Sequence, residues 1–239
     1  MRPIVVKVGS LAAASANAVA LAQAGGGGVA LALNGALEAP QTALVFGTGM
    51  VTSQVATLDA PRRVGITSSG NDSGITFVVS GTDRAGQAIS ETVPGANAGI
   101  ASSALDYATV VSVVPSGATG GTVSVGTAVP AGSPMASSAW VRFDDDVAAP
   151  ASVQAVPAGT VTARIEQTLD DPNSVTNPVA PAAVSWSPHP SAEGQNISGA
   201  NGPVQTTYAA CPLFARITLL SGTGSVTATF AQAGRQSPS

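Results

Sequence analysis

Residues 63–93 decide the fold class. They read Arg63-Val-Gly-Ile-Thr67, Ser68-Ser-Gly-Asn-Asp-Ser-Gly74, Ile75-Thr-Phe-Val-Val-Ser80, Gly81-Thr-Asp-Arg-Ala-Gly86, Gln87 and Ala88-Ile-Ser-Glu-Thr-Val93. The first segment alternates with period two, as a half-buried strand does. Residues 68–74 are rich in turn formers and carry no helix propensity. Residues 75–80 are β-branched and aromatic, so they favour a strand. Gly81–Gly86 is a hairpin loop, with Gly86 free to take positive φ. Ala88–Val93 returns as a strand and Pro94-Gly95 closes it.

The pattern continues on both sides. Tyr107-Ala-Thr-Val-Val-Ser-Val-Val114 and Gly121-Thr-Val-Ser-Val-Gly126 are joined by Pro115-Ser-Gly-Ala-Thr-Gly120. Strands of about six residues with turns every 8–12 residues are the signature of a β-sandwich. Residues 29–127 are therefore expected to form a first sandwich. Val, Ile and Leu fill its core, with Phe46, Phe77 and Tyr107 as the largest members. Residues 128–137 are rich in Pro, Gly and Ser and read as a linker. Residues 138–235 resume the pattern with Ala139-Trp-Val-Arg-Phe143, Ser152-Val-Gln-Ala-Val156, Thr160–Leu169, Leu213–Leu220 and Ser225–Phe230. The stretch Asp170–Ser198 contains five prolines and reads as a loop excursion, anchored to the core by Trp186. The fold class is all-β: two tandem β-sandwich domains, jelly-roll- or Ig-like, with an extended N-terminal arm.

The two halves resemble each other. Val110-Val-Ser-Val-Val114, Ser116-Gly117 and Thr122-Val-Ser-Val125 parallel Arg216-Ile-Thr-Leu-Leu220, Ser221-Gly222 and Val226-Thr-Ala-Thr229. Each reads as two strands joined by a Ser-Gly hairpin. Two explanations stand: a duplicated sandwich, or the likeness of any two hairpins of this composition.

Composition excludes several classes. The 239 residues carry 9 Lys+Arg, 13 Asp+Glu and 1 His, a formal net charge of −4, and only 9% are charged. One lysine, Lys7, and scattered arginines give no basic surface for nucleic acid. One cysteine, Cys211, excludes a disulfide framework and a multi-thiolate zinc site. No segment supplies the roughly 18 or more apolar residues of a membrane-spanning helix.

The N-terminus has competing readings. Arg2, Lys7 and the Ala-rich stretch before Ala22-Gln23-Ala24 have the outline of a secretory signal. Ser10, Ser15, Asn17 and the lack of large aliphatics argue against it. The alternative is a 1–28 arm in which Ile4, Val5, Val6, Lys7 and Val8 form a strand, followed by an Ala-rich linker or short helix. Such a strand suits addition to a neighbouring subunit. A partly disordered terminus is the blander reading.

Candidate chemistry is sparse. His189, between Pro188 and Pro190, is the only general-base histidine a triad could use, and no Gly-x-Ser-x-Gly elbow accompanies it. It is expected in an exposed loop. Asp144-Asp-Asp146 and Asp170-Asp171 lack the spacing of a calcium loop and read as turn aspartates, or as acidic contacts for a partner's basic patch. Cys211 reads as a buried, inert thiol. Asn71-Asp-Ser73 and Asn196-Ile-Ser198 match the short glycosylation triplet, and Gly25–Gly28 lacks the Lys of a phosphate loop. No catalytic residue, cofactor or metal is expected.

Leu33-Asn-Gly-Ala-Leu37, Asp59-Ala-Pro-Arg-Arg-Val64, Gly81-Thr-Asp83 and Ser90-Glu-Thr-Val93 together resemble proteins encoded among the virion genes of tailed bacteriophages and prophages. In those, an Asn-Gly-x-Leu strand precedes an Asp-x-Pro-Arg-Arg-Val segment, and a Gly-Thr-Asp hairpin and a Glu-Thr-Val strand follow. Thr160–Asp171 and Ser221-Gly-Thr-Gly-Ser-Val-Thr-Ala228 are similar, more loosely, to a companion module. The likeness covers roughly residues 29–127 and 138–233 and transfers no catalytic residue. It implies a structural virion protein, assembled in the bacterial cytoplasm. Its partners would be the major capsid protein or neck and tail proteins, with a homo-oligomer expected and no nucleic acid or membrane. Capsid decoration is the leading expectation. The rivals are a neck or tail ring, a receptor- or glycan-binding module using Trp140 or Trp186, and last a hydrolase using His189. Arg62 and Arg63 are expected to pair with a carboxylate at a subunit contact, with an intrachain or solvated pair as the other reading.

Overall fold

The computed structural model describes residues 3–45, 49–144 and 150–232; for residues 41–45 and 49–52 only the backbone is described. The chain divides into two compact units. One is Ala12–Met135. The other joins Met1–Leu11 to the chain from Ala136 onward. The expected arm boundary at 28 therefore gives way to a crossing at Leu11–Ala12, while the second crossing, Met135–Ala136, falls within the expected linker 128–137.

The first strand, β1 (Ile4–Val8), belongs to the C-terminal unit. The N-terminal unit is built from β2 (Ala20–Ala24), β3 (Glu38–Val45), β4 (Gly49–Arg62), β5 (Gly65–Ser68), β6 (Thr76–Thr82), β7 (Ala88–Pro94), β8 (Ile100–Ser102), β9 (Tyr107–Pro115) and β10 (Thr122–Gly126). They form two sheets, β3-β4-β9-β6-β7 and β2-β10-β5-β8. Phe77, Val79, Tyr107, Val110 and Val113 from the first pack with Val19, Ile66, Val123 and Val125 from the second. Phe77 and Tyr107 are core residues as expected; Phe46 lies outside the described residues. The Tyr107 hydroxyl donates to the Val79 carbonyl, and burial pushes its pKa up.

The Ala-rich segment carries a strand, β2, not a helix. Alanine's weak β propensity is overridden by packing: Val19 and Ala20 are fully buried, and Val19 N–H donates to Val125 O. Residues 33–37, which the resemblance reads as a strand, form a turn into β3. Gly35 passes so close to the Ala18 carbonyl that a Cβ would not fit there.

The C-terminal unit adds β11 (Ala136–Ser137), β12 (Val141–Arg142), β13 (Ala151–Ala158), β14 (Val161–Thr168), β15 (Ser187–Pro188), α1 (Ala192–Gln195), β16 (Ile197–Ser198), β17 (Val204–Tyr208), β18 (Phe214–Gly222) and β19 (Ser225–Gln232). One sheet runs β1-β19-β13-β17. The other runs β11-β18-β14-β15, with β12 on β18 and β16 on β14. Val153, Ile165, Ile217, Leu219 and Phe230 are buried in this unit. All sheets are antiparallel.

The two units repeat one topology. The order β2-β10-β5-β8 matches β1-β19-β13-β17, and β4-β9-β6-β7 matches β11/β12-β18-β14-β15. Even an interruption recurs. The β4–β9 ladder breaks between Thr57 and Arg62, and β11 and β12 are separate rungs on β18 between Ser137 and Val141. The Ser-Gly segments, read from sequence as hairpins, are instead crossings between sheets, because β9 does not pair with β10 nor β18 with β19. A crossing at the same point of both units favours the duplication reading. The duplicate is nested: the whole N-terminal unit lies in the chain between β1 and the rest of β1's own unit.

Candidate functional site

β14 and β18 pair in register, Arg164 opposite Thr218 and Glu166 opposite Arg216. Ala163 and Ile165 alternate with these polar residues and are buried on the core side, as are Ile217 and Leu219. The other face therefore collects the charges. Glu166 Oε2 accepts from Arg216 Nε at 2.8 Å and from Thr218 Oγ1 at 2.7 Å, while its Oε1 accepts from Arg164 Nε and Nη2 at 2.8 and 2.6 Å. Burial pushes the Glu166 carboxyl up, but Arg216 and then the Thr218 and Arg164 hydrogen bonds outweigh it and hold it below the ordinary carboxylate value.

The 170–198 excursion brings Trp186 over this group. The Arg216 guanidinium lies 3.9 Å from the Trp186 ring centroid, a cation–π contact. Trp140, entering from the segment before β12, meets Trp186 edge-on at 4.9 Å and Phe214 at 5.9 Å. Both tryptophans are half-buried. Trp186 anchors the excursion as expected, though to an ion cluster as well as to aromatic rings. Sequence reading passed over this cluster. Its signal was present: in a chain with so few charges, Arg164, Glu166 and Arg216 fall inside strands, where a lone charge is costly.

His189, expected exposed, is fully buried. Its ring lies 4.4 Å from the Tyr208 ring, and Gly194 sits against it with no room for a Cβ. Nδ1 accepts from the Ser191 backbone N–H at 3.0 Å, which places the proton of the neutral ring on Nε2. The Ser191 hydroxyl contacts both Nδ1 and Thr206 Oγ1 and caps α1 at Gly194 N–H. Gln195 donates to the His189 carbonyl at 2.7 Å. The histidine is thus a clasp for the turn that carries α1. Desolvation lowers its pKa, against opposing effects of Ser191 and of Glu193.

A pH dependence follows. The neutral ring is the folded form, so stability is complete above the unfolded histidine value of about 6.5. It falls as pH drops below that value toward the lowered folded one, by up to about 1.4 kcal/mol per pH unit. Urea midpoints at pH 7.5 and 5.0 should separate in the native protein and converge in His189→Gln; equal slopes in the two would remove the histidine as the cause.

Arg62 and Arg63, expected at a subunit contact, are buried inside the N-terminal unit. Arg62 Nη1 pairs with Asp59 at 3.0 Å and donates to Ala12 O at 3.1 Å. Arg63 pairs with Asp106 at 3.1 Å and donates to Ser103 O. Both sit where β4 ends at Arg62 and the chain turns into β5 at Gly65. Ile4, Val5, Val6, Lys7 and Val8 pair with Phe230, Thr229, Ala228, Thr227 and Val226 of the same chain.

The aspartates organise turns. Asp170 accepts from Ser185 N–H and Asp171 from Asn173 N–H. Asp145 and Asp146 lie outside the described residues. Among the described residues no group of three or more His, Cys, Asp or Glu is placed to hold a metal, and no helix is long and apolar enough to cross a membrane. Cys211 is half-buried, with its pKa raised by desolvation.

The outer face of the five-stranded sheet is the other notable surface. Its residues on β6 are Thr76, Val78, Ser80 and Thr82; on β7, Ala88, Ser90, Thr92 and Pro94; on β9, Thr109, Ser112 and Val114. Ser80 bonds Ser90 and Thr82 bonds Thr109 across the strands. Val111 sits at a bulge beside them and is exposed. None of these residues is charged.

Comparison with known proteins gives no match: no family model, no curated protein and no solved structure is significantly similar to this chain.

Proposed function

We propose that the chain is a structural protein of a tailed-bacteriophage virion, a decoration subunit that bridges neighbouring major capsid proteins. The observation that carries this reading is the charge-free face of β6, β7 and β9. A solvated sheet face ordinarily alternates with charged side chains. A flat Ser/Thr/Val face suits burial against another protein, where a charge would cost desolvation. The resemblance of residues 29–127 to virion proteins agrees with it. The site is the particle surface, the partners are capsid subunits, and closed symmetry suits the role.

The test is the number of copies in purified particles relative to the major capsid protein. Near-equimolar copies support decoration. About a dozen would move the protein to a neck or tail ring. Absence from particles overturns the virion reading. A receptor- or glycan-binding module is a second reading, favoured by one observation: the half-buried Trp140 and Trp186 meet beside Arg216, one of two arginines that share one carboxylate.

A further inference from the structure

We infer that the β19 edge is an exchange site, filled in the assembled protein by residues 4–8 of a second copy of this chain. The nested duplication shows what the site is. In the N-terminal unit the first strand, β2, lies on β10 and leads onward into its own unit. β1 takes the equivalent place on β19, yet the chain leaves its unit straight after it. Every contact that β1 makes on β19 is one that an identical strand from another copy reproduces, so exchange needs no new complementarity.

The connection is built as a hinge. Val8 is the last paired residue and is buried. Gly9 then turns the chain at a φ of +85°, with Gly224 O so close that no side chain fits. By Ala12 the chain is fixed in the other unit: its N–H donates to Asp59 Oδ2 at 2.6 Å, and its carbonyl accepts from Arg62. Three residues, Gly9–Leu11, thus join two anchored points. A hinge of so few residues favours exchange over closure within one chain. β1 is an edge strand that, among the described residues, pairs in a sheet with β19 only, and Val5 on it is 62% exposed.

The register supplies the test. Val5 lies opposite Thr229, and Lys7 opposite Thr227. Directly opposed residues of an antiparallel pair have Cα atoms about 4.5–5.5 Å apart, within disulfide range. The variant V5C/T229C, made in full-length protein with C211S, is oxidised after folding and run without reductant, with K7C/T227C as a second pair. Exchange predicts covalent dimers or closed rings in which most chains are linked to another. A chain that remains monomeric overturns the inference, whether its disulfide is closed within itself or both thiols stay free. This outcome is independent of the copy-number measurement, so either proposal can fail alone.

Discussion

Glu166→Ala should destabilise the C-terminal unit by about 3–5 kcal/mol, the usual cost of removing one partner from a buried ion pair. The loss is that large because the carboxylate serves three donors. Without it, Arg216, which is buried, loses the carboxylate at 2.7 Å, and Thr218 Oγ1 loses its acceptor. Arg164 is less affected, because its side chain is 30% exposed and can turn to water. Urea unfolding followed by tryptophan fluorescence is the measurement. Trp140 and Trp186 are the only tryptophans, and both belong to this unit, so the signal reports it selectively. Arg216→Leu with Glu166→Leu should recover much of the loss, since apolar residues of similar size replace a buried pair at little cost. A loss below about 1 kcal/mol in Glu166→Ala would mean that the cluster is solvated and not a stabilising core. Acid should act like the mutation. The Glu166 contribution is present above the ordinary carboxylate value and is lost as pH falls through its lowered one.

The same cluster shows what the sequence does and does not reveal. Strand existence is legible wherever period-two patterns meet turn formers. Residues 75–80 and 88–93 fall within or along β6 and β7, and Gly86 adopts the positive φ its loop requires. Local chemistry is sufficient there, because a hairpin is decided by neighbours in sequence. Three features escape. β2 is an alanine strand, and only long-range packing on β10 makes it one. The Ser-Gly segments look like hairpins locally, but their strands part into opposite sheets. His189 looks exposed because it is flanked by prolines, yet a Ser191 bond and the Tyr208 ring enclose it. In each case the deciding partner is remote in the chain or lies in a loop whose path no periodicity encodes. Arg62 and Arg63 are an intermediate case. Their importance was legible from a rare pair of charges, but the identity of Asp59 and Asp106 as partners was not.

Stepwise deletion of the N-terminus should have the largest effect of all, and it should divide by unit. Removing residues 1–8 takes β1 from β19, with the buried Val8 and the half-buried Ile4 and Val6. Burial of a valine-sized side chain is worth about 1.5–3 kcal/mol when complete. The C-terminal unit should therefore lose roughly 3 kcal/mol and expose an unpaired edge, while the N-terminal unit keeps its fold. Removing residues 1–28 also takes β2, and with it Val19 and Ala20 from the core of the N-terminal unit. It also removes Ala12, the partner of Asp59 and Arg62. Large core losses of about 2–5 kcal/mol each, added to an opened sheet, consume the roughly 5–15 kcal/mol that a domain possesses. That protein should be insoluble or unfolded throughout. Hydrogen exchange read by peptide separates the cases. In the 1–8 deletion, protection should fall in β19 and β13 and persist in β9 and β10; in the 1–28 deletion it should vanish from both units. A soluble, fully protected 1–28 deletion would contradict the placement of β1 and β2 in the two sandwiches. It would return residues 1–28 to the role of a free arm.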